Sequence, residues 1–399
     1  MRKVAQILIS VACAAASVAS VSTGLASAQT SSDTSSEVAF DASSQALLAW
    51  SQQPNVGTDL NNFYALIHTA TPWKQFPLWN LWGEQTQYTP DKEQDFAQPR
   101  LIKREKDERF DVERLWIESP AMRRVVQVQV QYPIDRTTPA PMLYLLDGVS
   151  APVQSGWLRK GDVQGALANE HVTAIMPVEA GGTNYTDWNE TDPYLGRSMW
   201  ESFLIKELPV VVEDSATGIA FNGERYIGGL SMGGSAAVRL ANLYPERFVG
   251  TFSVSGCYSP VSASGRELFN LAPRAMGGNP DLMWGRDITP QRIRNDVVAN
   301  PAGIAGMRTY IYSATGAATQ ADVDSAREEG LQELFGNIVL EKMVYTCTRE
   351  LEDSLVSKGL MSGNVTFDYH EVGEHSWPYY KQQLPVAWAH VSQGRYTYR

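Results

Sequence analysis

Between residues 126 and 369, short apolar runs alternate with stretches patterned as helices, and this alternation limits the fold more than any other feature. Val126-Gln127-Val128-Gln129-Val130-Gln131 has the period of two expected of a half-buried strand. Met142 to Leu146, Thr173 to Val178, Arg225 to Gly229, Gly250 to Val254, Arg308 to Tyr312 and Val365 to Tyr369 read as further strands. Apolar strands separated by helices predict an α/β fold, a mostly parallel sheet covered on both faces.

The rest of the chain sets the boundaries. Residues 1–28 read as a secretory signal: Arg2 and Lys3 lead, Val4 to Val21 is mostly apolar or small, and Ala26-Ser27-Ala28 precedes Gln29. Serines interrupt that run, so it falls short of the about 18 clean apolar residues of a membrane span. Leu47, Leu48 and Trp50, then Leu60, Phe63, Leu66 and Ile67, fall at helical spacing. The charge-dense stretch Asp91 to Arg109 reads as a solvated linker or helix face. A boundary is therefore expected near residue 110, giving an N-terminal extension at 29–110 and a catalytic domain at 111–399. With 43% hydrophobic residues and a net charge of −11, the chain is neither wholesale disordered nor suited to nucleic acid. Export would place Cys257 and Cys347 where they could pair or remain buried thiols.

Gly229-Leu230-Ser231-Met232-Gly233 matches the G-x-S-x-G turn that raises a nucleophilic serine between a strand and a helix. Alone the pentapeptide is a weak signal, but a buried strand precedes it and Ser235 to Tyr244 reads as a helix. The helix N-terminus would lie beneath a developing oxyanion. Of the five histidines, His375 is the expected base, because it follows the last strand in the loop Gly373-Glu374-His375-Ser376-Trp377-Pro378. His68, His171, His370 and His390 read as structural or misplaced. The acid stays open. A carboxylate just beyond the strand Thr309–Tyr312 points to Asp322 or Asp324, while Glu328, Glu329, Glu333 and Glu341 also qualify by spacing. The Met232 amide is one expected oxyanion donor, and the Asp147-Gly148-Val149 loop is placed to give the second. No metal cluster, phosphate loop or dinucleotide fingerprint is found, so no metal and no cofactor are expected.

These residues resemble the mycolyltransferases of mycolic-acid-containing actinobacteria, among the esterase-D-like α/β-hydrolases. The likeness is carried by Tyr144-Leu145-Leu146-Asp147-Gly148, Met176-Pro177-Val178, Tyr185-Thr186-Asp187-Trp188, Trp200-Glu201-Ser202, Glu207-Leu208-Pro209, the Ser231 turn, Met283-Trp284-Gly285, Arg294-Asn295-Asp296 and His375-Ser376-Trp377-Pro378-Tyr379. They follow the family's order from about residue 111 to 385. The resemblance implies an α/β-hydrolase fold; the extension at 29–110, read as mainly helical from its apolar spacing, is a segment that the trehalose-binding members lack. It selects Glu341, in Leu340-Glu341-Lys342-Met343, as the acid of a Ser231–His375–Glu341 triad. It gives the oxyanion amides to Val149 and Met232, and the sugar pocket to Asp147, Ser150, Ser376 and Trp377.

The implied activity is transfer of a mycolyl chain from trehalose monomycolate to a trehalose ester, arabinogalactan or a protein hydroxyl through acyl-Ser231, in the cell envelope or outside the cell. Two positions depart from the family. Ser150 stands where an Arg usually grips trehalose, and Ser259 stands where an Asp is usual. A hydroxyl cannot replace a guanidinium's donors, which favours a wall polysaccharide or a protein as acceptor. The segment from Met276 to Trp284 reads either as a wall of the lipid groove or as ordinary core. The alternatives are a secreted carboxylesterase acting on simpler esters and a catalytically silent envelope-binding protein.

Overall fold

The computed structural model describes residues 34–53 and 93–398. The export segment at 1–28, His68 and the apolar residues between Leu60 and Ile67 lie outside the described residues. A nine-stranded sheet organises the chain, in the order β1-β2-β3-β5-β4-β6-β7-β8-β9. Its strands are β1 (Arg100–Asp107), β2 (Val112–Ser119), β3 (Arg124–Gln131), β4 (Ala140–Leu146), β5 (Thr173–Pro177), β6 (Phe221–Leu230), β7 (Gly250–Val254), β8 (Arg308–Ala314) and β9 (Val365–His370). The pairs β1–β2, β2–β3 and β3–β5 are antiparallel, and every pair from β5–β4 to β8–β9 is parallel.

Why β4 is apolar throughout follows from its place in the sheet. Met142, Tyr144 and Leu146 enter the core on one face, Leu143 and Leu145 the core on the other. Both faces are covered by helices, so no residue of the strand meets water. The longest helices among the described residues are α1 (Thr34–Ser51), α2 (Ser231–Leu243), α3 (Ala263–Ala275), α4 (Gln320–Glu329), α5 (Leu331–Ser357) and α6 (Trp377–Ser392). Ala236, Ala237, Val238 and Leu240 of α2 pack with the Met142 face, and Leu384, Ala387, Trp388 and Val391 of α6 with the Leu143 face. Among the described residues no helix is long and apolar enough to cross a membrane.

The charge-dense stretch before residue 110 differs from its expectation as linker or helix face. It forms the edge strand β1, so the sheet extends past the boundary expected near 110. Pairing accounts for the charges: Arg100 meets Glu118 at 3.0 Å, Arg104 meets Glu113 at 2.8 Å, and Lys103 lies 4.4 Å over the Trp116 ring. An exposed strand edge dense in Lys and Arg resists pairing with another chain. Charge alone could not separate these outcomes, because an edge strand and a solvated helix face are equally wet.

Cys257 and Cys347 form a disulfide, with Cα atoms 5.0 Å apart. It ties the loop after β7 to α5. The helix α1 lies against α4 and α5, where Leu47, Leu48 and Trp50 join the apolar cluster of Val323, Ala326, Leu334 and Ile338.

Candidate active site

Sequence chemistry first shows itself at the β6–α2 turn. Ser231 holds φ at 52°, in the left-handed region that a residue with a side chain rarely adopts. The flanking glycines supply space, while the strained dihedral falls on the serine itself. A Cβ on Gly229 would sit 2.7 Å from the Leu146 carbonyl oxygen, and one on Gly233 would sit 2.4 Å from that of Asp147. The turn therefore presses against the end of β4 and turns the Ser231 hydroxyl outward.

His375 and Glu341 complete a hydrogen-bonded line with that hydroxyl. His375 Nε2 is 2.8 Å from Ser231 Oγ, and Nδ1 is 2.8 Å from Glu341 Oε2. Glu341 is fully buried on α5. Its other oxygen accepts from the Ser255 hydroxyl at 2.9 Å, the Ala314 amide at 2.8 Å and the Ser313 hydroxyl at 3.3 Å. An acceptor so surrounded by donors requires Nδ1 of His375 to carry the proton, which leaves Nε2 free to accept from Ser231. The His375 loop is fixed by its own amide to the Asn337 carbonyl, at 3.2 Å, and by the Gly373 amide to the Ala317 carbonyl, at 2.9 Å.

Of the carboxylates left open beside Glu341, Asp322 and Asp324 do other work. Asp322 closes the capping box of α4 with Thr319 and accepts from the Tyr379 hydroxyl. Asp324 accepts from Gln320 on an exposed helix face. Glu333 lines the cleft, its pKa raised by burial and by Glu329, partly offset by Lys160. Among the other histidines, His171 bonds Tyr398 at 2.7 Å, His370 faces Asp368 at 3.5 Å, and His390 packs on the Tyr310 ring.

Ser231 and His375 open into a cleft of about 570 Å³. Leu268, Phe269, Leu271 and Ala272 of α3 and Leu334, Leu340 and Val344 of α5 give it an apolar side. Asp147, Ser150, Ser376, Trp377 and the residues Val149 and Met232 line it too. Met232 sits in the first turn of α2, where amides lack intrahelical acceptors. Val149 follows β4, on a chain that comes close to the serine: a Cβ on Gly148 would lie 3.5 Å from that of Ser231. Of the two readings of 276–284, core holds over lipid wall. Met283 and Trp284 are buried with Trp188, Leu195 and Phe269, behind α3 rather than on the cleft. The apolar pattern there marks core.

The remaining motif residues build the scaffold. The Tyr185 hydroxyl accepts from the Asp147 amide at 3.0 Å, and the buried Arg239 donates to the Tyr185 carbonyl at 2.8 Å. Glu201 pairs with Arg294 at 2.7 Å, and Asn295 accepts from Arg239 at 2.7 Å. Ser259 donates to Asp296 at 2.9 Å and accepts from the Val261 and Ser262 amides. The Trp377 ring stands edge-on to Trp157, centroids 5.6 Å apart, and a Cβ on Gly156 would collide with it.

Sequence reasoning missed three features: the Ser255 and Ala314 donors to Glu341, the Tyr380 ring 5.4 Å from the His375 ring, and the buried Glu374. Polar residues at strand C-termini, such as Ser255, are the one signal that could have pointed to them. Burial pushes the Glu374 pKa up to about 8, against the favourable pull of Ser376 and Asn337. Burial also pushes Asp147 up to about 7, partly offset by Ser155 and the Gly156 and Trp157 amides, and neither Asp147 oxygen makes a well-formed hydrogen bond. Both carboxyls hold a proton more tightly folded than unfolded, so stability falls as pH rises from about 4 through about 8. Thermal melts across that range should show the fall, and Glu374→Gln should flatten its upper part. An unchanged slope in the variant would contradict the assignment.

The sheet order, the strained serine turn and the helices on both faces define an α/β-hydrolase fold. Comparison with known proteins narrows the class. A family model described as putative esterase matches residues 119–391. The diacylglycerol acyltransferase/mycolyltransferase Ag85A of Mycobacterium leprae is 32% identical over 286 residues, covering 68% of this chain and 80% of that protein. Ag85A of Mycobacterium tuberculosis is 31% identical over 280 residues, covering 68% and 78%. Among solved structures, Mycobacterium tuberculosis MPT51 (FbpC1) superposes with a TM-score of 0.53 at 25% identity, covering 69% of this chain and 95% of that one. An S-formylglutathione hydrolase of Agrobacterium tumefaciens, at TM-score 0.51 and 18% identity over 72% and 96% of the two chains, shares the fold. The chain belongs to the Ag85-type mycolyltransferases within this esterase family.

Proposed function

We propose that this protein is an exported mycolyltransferase that works through an acyl-Ser231 intermediate. The observation that carries the reading is the Ser231–His375–Glu341 line, with both hydrogen bonds at 2.8 Å, opening on a cleft with one apolar side. Ser231 Oγ attacks the donor ester carbonyl as its proton passes to His375 Nε2. The carbonyl oxygen gains negative charge beside the Val149 and Met232 amides. Collapse breaks the ester bond, and His375 returns the proton to the departing sugar oxygen. In the second half, His375 takes the proton of the acceptor hydroxyl, that oxygen attacks the acyl-serine, and Ser231 regains its proton.

The acyl chain runs along Leu268, Leu271, Leu334, Leu340 and Val344, and the sugar sits against Asp147 and Trp377, with Ser150 and Ser376 beside them. The donor class is a trehalose mycolate. Because Ser150 offers one hydroxyl in place of a forked cation, the acceptor is a wall polysaccharide or a protein hydroxyl more readily than a second trehalose ester.

Acceptor partitioning tests this. Loaded with trehalose monomycolate, the enzyme should transfer to arabinogalactan or a hydroxyl-bearing protein faster than to water, read as esterified acceptor against free mycolate. Release of free mycolate alone, whatever acceptor is present, would make it a carboxylesterase.

A further inference from the structure

The mechanism leaves α1 without a role, yet its end lies next to the residues that hold the acid and the base. Lys342 follows Glu341 directly on α5. Its Nζ, in a residue only 8% exposed, donates to the Ser51 carbonyl at 2.7 Å and to the Gln53 carbonyl at 3.2 Å. A cation on the last carbonyls of a helix is favoured by their orientation. The same ammonium lies 5.7 Å from the centroid of the Trp50 ring, which stacks on Phe335 of α5 with centroids 5.6 Å apart.

A second set of contacts joins α1 to the loop between β8 and α4. The Ala318 amide donates to Ser51 Oγ at 3.0 Å, and Gln52 Nε2 donates to the Ala318 carbonyl at 2.7 Å. That loop and the strand end that leads into it reach the surroundings of both partners of the serine: the amide of Ala314, the last residue of β8, donates to Glu341, and the Ala317 carbonyl of the loop accepts from Gly373, two residues before His375. It also lies flat on α5, because a Cβ on Gly316 would be 2.6 Å from Lys342 Cγ. Farther along, Asp41 of α1 pairs with Arg327 of α4 at 2.6 Å.

We propose that residues 50–53 at the end of α1 are a positioning element of the active centre, acting through Lys342 and the loop 314–318 on the orientation of Glu341 and His375. The proposal rests on the Ser231–His375–Glu341 reading. Lys342 touches no reacting atom, so it is a positioning residue. Two independent lines of contact converge on the same short loop and helix turn, which distinguishes a brace from a helix that merely covers core. Burial pushes the Lys342 pKa down to about 8, so the ammonium relies on those carbonyls to remain charged.

The test uses the full chain and two readouts independent of the lipid: the rate at which a fluorophosphonate labels Ser231, and kcat and KM on a short nitrophenyl ester. Lys342→Met keeps the apolar stem and removes the charge. It should lower the labelling rate and kcat about tenfold while KM stays within about twofold, in the range seen when a group supporting an active residue is lost. Lys342→Arg should recover most of the loss. Trp50→Ala, which changes no residue of α5, should act in the same direction, and it decides the matter alone if Lys342→Met does not fold. A lower Tm with unchanged labelling and kcat would overturn the proposal, because α1 would then only stabilise the fold. Ser231→Ala in the same assay separates the two readings. Silent Ser231→Ala beside fully active Lys342→Met removes the brace and leaves the nucleophile in place. Labelling that survives Ser231→Ala removes both.

Discussion

Ser231→Ala is expected to reduce ester turnover by roughly 10⁶ and to abolish the acyl-enzyme altogether, while leaving the fold intact. The magnitude follows from the geometry. Ser231 is the hydroxyl that His375 Nε2 meets, at 2.8 Å, and the elbow that presents it is strained at φ 52°. Alanine removes the nucleophile and retains the backbone amides and the cleft, so only the small rate enhancement owed to binding and oxyanion contacts survives. Because that strain on a side-chain-bearing residue persists in alanine, the variant should melt within a few degrees of the parent. Steady-state kinetics with a thermal melt checks both halves. A variant that turned over esters at more than about a thousandth of the parental rate would mean that another group attacks.

Glu341→Gln should cost about 10³–10⁴ in kcat, although the substitution is nearly isosteric. The amide oxygen of glutamine is drawn to the site that accepts from the Ala314 amide and the Ser255 hydroxyl. That leaves the amide nitrogen, a donor, facing His375 Nδ1. The imidazole must then carry its proton on Nε2, where it cannot accept one from Ser231. KM for a short ester should change little, since Glu341 is fully buried and touches no substrate. A loss below tenfold would show that the carboxylate is not what orients His375, and Asp322 would need to be tried in its place.

How much of this could be read from the chain alone depended on the range of the interaction. The parallel strands were legible because burial on both faces demands a continuous apolar run, as in Met142 to Leu146. Ser231 was legible because its turn needs glycines where the chain passes the end of β4, a local requirement. His375 needed one long-range assumption, that chemistry gathers beyond strand C-termini. Glu341 exceeded what spacing can say: it lies in the interior of the long α5, and only the resemblance picked it from several carboxylates. The edge strand β1 was misread because its charges are satisfied across the β1–β2 ladder, and pairing partners leave no periodic trace. The 276–284 segment stayed open between lipid wall and core for the converse reason, since Met283 and Trp284 are as apolar in a core as they would be along a lipid. The position of α1 against Lys342 had no signal at all. A lysine beside an acidic residue on a helix reads as surface until another helix is seen to end on it.

The most direct test of the central claim is intact-protein mass spectrometry after incubation with trehalose monomycolate, run beside Ser231→Ala. The parent protein should gain the mass of one mycolyl group, absent from the variant and discharged when an acceptor is added. An unmodified parent under conditions where it still consumes the donor, or an adduct of equal yield on Ser231→Ala, would contradict an acyl-Ser231 mechanism.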